Sequence, residues 1–133
     1  RRFFKRRTHR MSLEPVNQLV AEDGAYRSLG EDPQFDLRSS LGRLPTGWVE
    51  ITYEVGHASQ PLDASLYVDS GTGYSERERF NLPFTFGGPV RWILRLPGRV
   101  RSLRLAPLPS AGHFAMRNLR IREIQSIGNT AGG

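Results

Sequence analysis

Glycine and proline interrupt this sequence roughly every ten residues, and between them apolar and polar residues alternate instead of recurring at helical i, i+3, i+4 spacing. A period of two places every second side chain on one face of a strand. The pattern therefore predicts an all-β chain of short, half-buried antiparallel strands joined by turns. In Trp48 to Val55, Val49, Ile51, Tyr53 and Val55 share one face, while Glu50, Thr52 and Glu54 share the other. In Ala64 to Asp69, Ala64, Leu66 and Val68 point inward and Tyr67 and Asp69 outward. Phe80, Leu82, Phe84 and Phe86 share a parity, and Pro83 among them marks an edge strand, because proline cannot donate to a central ladder. Val90, Trp92, Leu94 and Leu96 form the next inward set, followed by Leu103 and Leu105. Phe114 and Met116 differ in parity from Leu119 and Ile121, so a β-bulge is expected near Arg117 and Asn118. With weaker strands at Leu19 to Glu22 and Phe35 to Leu37, the chain reads as an antiparallel two-sheet sandwich. Its expected form is jelly-roll-like with eight or nine strands. The expected inter-sheet core is Ile51, Tyr53, Leu66, Val68, Trp92, Leu94, Leu103, Leu105, Phe114 and Ile121.

A chain of 133 residues fits one such domain. The net charge of +6 is concentrated at the start, where Arg1, Arg2, Lys5, Arg6, Arg7 and Arg10 have no acid among them. Residues 11 to 133 sum to zero. A nucleic-acid reader needs a basic face on its folded body, so no specific nucleic-acid partner is expected. The expected organisation is a basic tail or linker over 1–14, a sandwich module over 15–125 and a flexible linker over 126–133. The tail is also the place for a contact with anionic membrane. Because the chain opens on Arg, a module cut from a longer protein is expected. No apolar run approaches the length that spans a bilayer, and cysteine is absent, which removes thiolate catalysis and cysteine metal sites.

The templates for chemistry fail in turn. There is no GxxxxGK[ST], GxGxxG or GxSxG, and His9, His57 and His113 lack zinc-ligand spacing. Asp69-Ser70-Gly71-Thr72-Gly73 resembles a calcium loop in composition but offers one carboxylate, so Asp69 is expected to cap a turn. Glu50 and Glu54 are expected to pair with outward arginines such as Arg91, Arg95, Arg120 or Arg122. No catalytic residue, metal or cofactor is assigned. What remains is aromatic. Sugar rings stack on exposed Tyr and Trp while polar neighbours bond their hydroxyls, and Tyr67 beside Asp69, with Tyr74 and Glu76 in the following loop, supplies that combination. Trp48 is a further candidate, its alternative role being to close one end of the sandwich.

Three segments carry a resemblance: Leu44-Pro-Thr-Gly-Trp-Val; Leu66-Tyr-Val-Asp-Ser-Gly-Thr-Gly-Tyr-Ser-Glu; and Val100-Arg-Ser-Leu-Arg-Leu-Ala-Pro with Gly112-His-Phe-Ala-Met-Arg-Asn-Leu-Arg-Ile-Arg. Together they resemble the accessory β-sandwich domain beside bacterial glycosyltransferase domains that build O-antigen, rhamnan and related surface polysaccharides. The chain departs from that pattern at Ala106, where many such domains have Asp. The resemblance implies a non-catalytic cytoplasmic module at the inner face of a bacterial membrane. Its partner would be a glycan or a neighbouring catalytic domain, and the transferase chemistry would lie outside this chain. The alternative is an interdomain scaffolding module without sugar binding.

Overall fold

The computed structural model describes residues 7–124; the expected linker over 126–133 and the charges of Arg1, Arg2, Lys5 and Arg6 lie outside them. The described chain forms ten strands: β1 (Thr8–Asn17), β2 (Leu19–Glu22), β3 (Ala25–Ser28), β4 (Gln34–Ser39), β5 (Trp48–Gly56), β6 (Ser65–Asp69), β7 (Arg79–Asn81), β8 (Gly88–Arg95), β9 (Ser102–Ala106) and β10 (Gly112–Glu123). All pairings are antiparallel, and they nest: β1 with β10, β4 with β9, β5 with β8, β6 with β7. That nesting is a jelly roll, with β1-β10-β5-β8 as one sheet and β4-β9-β6-β7 as the other. The β2–β3 hairpin is an addition, inserted between β1 and β4 and attached to the start of β10. It takes the strand number beyond the eight or nine expected.

β1 joins the two sheets. Thr8 to Arg10 pair with β10, and from Met11 onward the same strand pairs with β4. The expected division between a tail ending at residue 14 and a module starting at 15 therefore falls inside a strand and is corrected here. The run of positive charge hid an alternation: His9 and Met11 are buried while Thr8, Arg10 and Ser12 are exposed. His9, expected in a solvated tail, is fully buried. Its Nδ1 lies 2.6 Å from Ser39 Oγ, and its Nε2 lies 3.4 Å from Glu123 Oε1.

Nine of the ten expected core residues are buried, Trp92 being the exception. Each large aliphatic or aromatic side chain so buried contributes about 1.5–3 kcal/mol relative to exposure. Trp92 stands directly across from Ile51 and so has the inward parity, but 44% of it remains exposed. β8 has a neighbour on one flank only, and the bulkiest side chain of its inward set is not covered there. In the segment before β8, Leu82 is buried, while Phe84 and Phe86, on either side of Thr85 where it pairs with Leu62, stay in solvent despite sharing its parity. The expected bulge in β10 is present. Its register with β5 shifts between Arg117 and Arg120, Asn118 takes a positive φ of 57°, and Met116, Leu119 and Ile121 all reach the core.

Candidate functional site

The outward faces of β6, β9 and β4 meet in register. Tyr67 is paired with Arg104, and Arg104 with Asp36, so their side chains stand side by side on one surface. Arg104 alternates with the buried Leu103 and Leu105 and has no inward option. Its Nε donates to Asp36 Oδ1 at 3.1 Å and its Nη1 to Gln34 Oε1 at 3.1 Å. The guanidinium carbon lies 4.9 Å from the centre of the Tyr74 ring, within cation–π range. The Tyr74 hydroxyl is 2.6 Å from Ser102 Oγ, which fixes the ring at both ends.

Around these groups opens a cleft of about 310 Å³ lined by Asp32, Gln34, Tyr67, Tyr74, Ser75, Glu76 and Arg104. Tyr67 forms a second aromatic wall, with the Arg79 guanidinium 5.7 Å from its ring centre. Glu76 opens a short 3-10 turn, Glu76–Glu78; it receives a 2.9 Å bond from Arg79 Nη1, and its Oε2 lies 3.4 Å from the Tyr67 hydroxyl. On the opposite rim, Gln34 Nε2 donates to Asp32 Oδ1 at 2.8 Å, and the Asp32 N–H donates to Gln18 Oε1 at 2.8 Å. The rim groups are thus held by the protein itself, and a ligand need not order them.

Of the five candidate residues, the cleft brings together Tyr67, Tyr74 and Glu76. Asp69 acts beneath it: Oδ1 accepts the N–H groups of Gly71 and Gly73, each at 2.8 Å, and closes the loop that delivers Tyr74. Gly71 and Gly73 have φ of 134° and 93°, conformations a side chain would strain, so this loop requires both glycines. The N–H of Gly71, then that of Gly73, hold the Asp69 carboxyl below its ordinary pKa. Trp48 lies elsewhere. It is half-buried at the start of β5, on the outward face of the other sheet, paired with Arg95.

Arg104, Gln34, Asp32 and Ser75 were not among the sequence candidates. Alternation alone placed Arg104 outward, which was the available signal; Gln34 and Asp32 come from a strand and loop some seventy residues earlier in the chain, and only the nested pairing of β4 with β9 brings them near. Among the described residues no cluster of three or more His, Asp or Glu could hold a metal ion. The arrangement offers two aromatic walls, a planar cation, carboxylate acceptors and an amide within one small open cleft. Such a set can both donate and accept hydrogen bonds. In sequence comparison, the chain matches no protein-family model and no curated protein.

Proposed function

We propose that this domain is a non-catalytic module that binds carbohydrate weakly in the Tyr67–Tyr74 cleft and positions a glycan for a bacterial glycosyltransferase at the cytoplasmic face of the membrane. The observation that carries the binding reading is the pre-ordered ring of Arg104, Gln34, Asp32 and Glu76 between two tyrosine walls. Apolar ring faces of a sugar fit the aromatic walls, and its hydroxyls can both donate to the carboxylates and accept from the guanidinium and amide. The transferase setting rests on the resemblance of the Leu44, Leu66 and Val100 segments. A shallow cleft recovers little surface, so the expected dissociation constant is about millimolar, roughly −4 kcal/mol. Tethering beside a catalytic domain supplies effective concentrations in the same range.

An NMR titration of the domain with bacterial surface oligosaccharides tests this reading. Shifts should centre on Tyr67, Tyr74, Glu76 and Arg104 and vanish in Tyr67→Ala with the fold intact. If no oligosaccharide perturbs the spectrum at millimolar concentration, the interdomain scaffolding role replaces sugar binding.

A further inference from the structure

The neutral body conceals a strong segregation of charge. Residues 11 to 81 carry five arginines against twelve acids, whereas from residue 82 onward there are eight arginines and a single acid, Glu123. The fold gathers the basic part. On the outward face of β1, β10, β5 and β8, Arg10 is paired with Arg120, Arg120 with Thr52, and Thr52 with Arg91, a row across four strands with no acid in it. Like charges directly opposite one another weaken a sheet, so this row has no stabilising role of its own. The acids β5 contributes to this face are Glu50 and Glu54. Glu50 is already engaged by both Arg91 and Arg122. Arg10, Arg95, Arg117 and Arg120 make no ion pair among the described residues.

A second, independent feature borders that face. Phe84, Phe86 and Trp92 are 61%, 78% and 44% exposed; the two phenylalanines lie just before the edge strand β8, and Trp92 lies on it, on the other side of the strand from Arg91. The Phe84–Phe86 loop runs directly into the basic face, since Gly88 is paired with Val55, Pro89 with Glu54, and Glu54 with Arg117. Between them, Pro89, Arg91, Asn118 and Arg120 border an open depression of about 470 Å³, with Glu54 its one carboxylate, held by a 3.4 Å contact from Asn118 Nδ2. The two phenylalanine rings pack edge to face, 5.8 Å apart at 87°. They form an apolar knob.

We propose that the β8 edge docks on an anionic lipid bilayer, with Phe84, Phe86 and Trp92 entering the interfacial region and the neighbouring arginines meeting lipid phosphates. A polyanionic chain needs only the arginines, whereas the phenylalanine knob adds apolar surface to be buried. A bilayer satisfies both, because stable peripheral binding combines buried apolar side chains with basic residues at the headgroup level. This surface belongs to the sheet opposite the Tyr67–Tyr74 cleft, so a docked domain keeps that cleft accessible.

Co-sedimentation of the full chain with vesicles of phosphatidylcholine and phosphatidylglycerol in equal parts, against phosphatidylcholine alone, tests the proposal. Binding should require the anionic lipid, fall with salt, and shift Trp92 emission to the blue; the shift should survive Trp48→Phe and disappear in Trp92→Phe. Replacing Phe84 and Phe86 together by Ser should weaken binding about tenfold or more. Replacing Arg95, Arg117 and Arg120 together by Gln should weaken it about a hundredfold, near fivefold for each charge. These side chains are exposed, and circular dichroism should show an unchanged fold. Two results overturn the proposal. One is binding that depends only on Arg1, Arg2, Lys5 and Arg6 and ignores the changes on the folded body. The other is equal affinity for single-stranded RNA or heparin with no effect of the Phe84 and Phe86 changes, which would make the face a site for polyanionic chains.

Discussion

On the outward face of β4, β9, β6 and β7, the arginines of the central row each stand beside an acid and an aromatic ring: Arg104 with Asp36 and Tyr74, Arg79 with Glu76 and Tyr67. On the outward face of β1, β10, β5 and β8, Arg10 stands beside Arg120, and Arg91, two strands further on, shares Glu50 with Arg122. Both faces are built from the same alternating strands over the same core. The difference shows that a zero sum over residues 11 to 133 says nothing about any one surface. One face consumes its charges internally and leaves a shaped polar cleft; the other leaves charge unspent and available to a partner.

The largest effect should come from removing the strand that joins the faces. Deleting Thr8 to Glu14 takes away the partner of both β10 and β4, together with buried His9 and Met11. The expected outcome is loss of cooperative melting, because the removed burial and pairing exceed the ~5–15 kcal/mol by which domains are stable. A dispersed NMR spectrum from the deleted chain would show that the two sheets hold together without their join.

Acid should act next, at the same join. Burial raises the Glu123 carboxyl, but the hydrogen bond from Arg43, the N–H of Thr46 and the contact with His9 outweigh it and bring the pKa from 4.5 to about 2. A carboxyl depressed in the folded state stabilises fully above its unfolded value, and that stability is lost as pH falls through the folded value. The melting temperature should therefore drop between about pH 4.5 and 2, with at most roughly 3 kcal/mol involved. Glu123→Gln should start lower at neutral pH and show a flatter acid limb; a parallel curve would remove Glu123 from the explanation.

A matched pair of substitutions compares the faces directly. Glu50 is buried between Arg122 and Arg91, and the hydrogen bond from Arg122 leads in holding its carboxyl below the ordinary range. Glu50→Gln leaves two guanidiniums uncompensated on a face already rich in arginine, and should cost about 1.5–3 kcal/mol in urea melts. Asp36→Asn breaks a pair in which both side chains are 37% exposed and should cost under about 1 kcal/mol. Equal losses would mean that the surplus of positive charge on the β1-β10-β5-β8 face has no energetic consequence.

How much of this was legible in the sequence depended on whether the information was local. Inward parity along Val49 to Val55 and the bulge at Asn118 were readable, because alternation is a property of neighbours in the chain. The exposure of Trp92 was not, since it follows from β8 being an edge, which is a fact about the whole sheet. β1 was misread because six positive charges among the first ten residues outweighed the inward positions of His9 and Met11. In the cleft, Tyr67, Tyr74 and Glu76 lie within ten residues of one another and could be grouped, whereas Arg104 and Gln34 meet them only through the nested pairing of distant strands. Trp48 was drawn into the same candidate set by residue type alone.

The smallest expected effect asks whether Tyr74 belongs to the framework or to the ligand. Its hydroxyl lies 2.6 Å from Ser102 Oγ, and its ring lies beneath Arg104. Tyr74→Phe removes the first contact and keeps the second, so the stability loss should be that of one partly buried hydrogen bond, about 0.5–1.5 kcal/mol. Ser102→Ala should cost a similar amount. The double variant should cost little more than either single one, since both delete the same bond, and the coupling energy from that cycle isolates the bond itself. Sugar-induced shifts should persist in Tyr74→Phe, because the wall beside Arg104 is still present. If the shifts vanish while stability barely changes, the hydroxyl is a ligand contact, and the face that settles its other polar groups internally keeps this one for its partner.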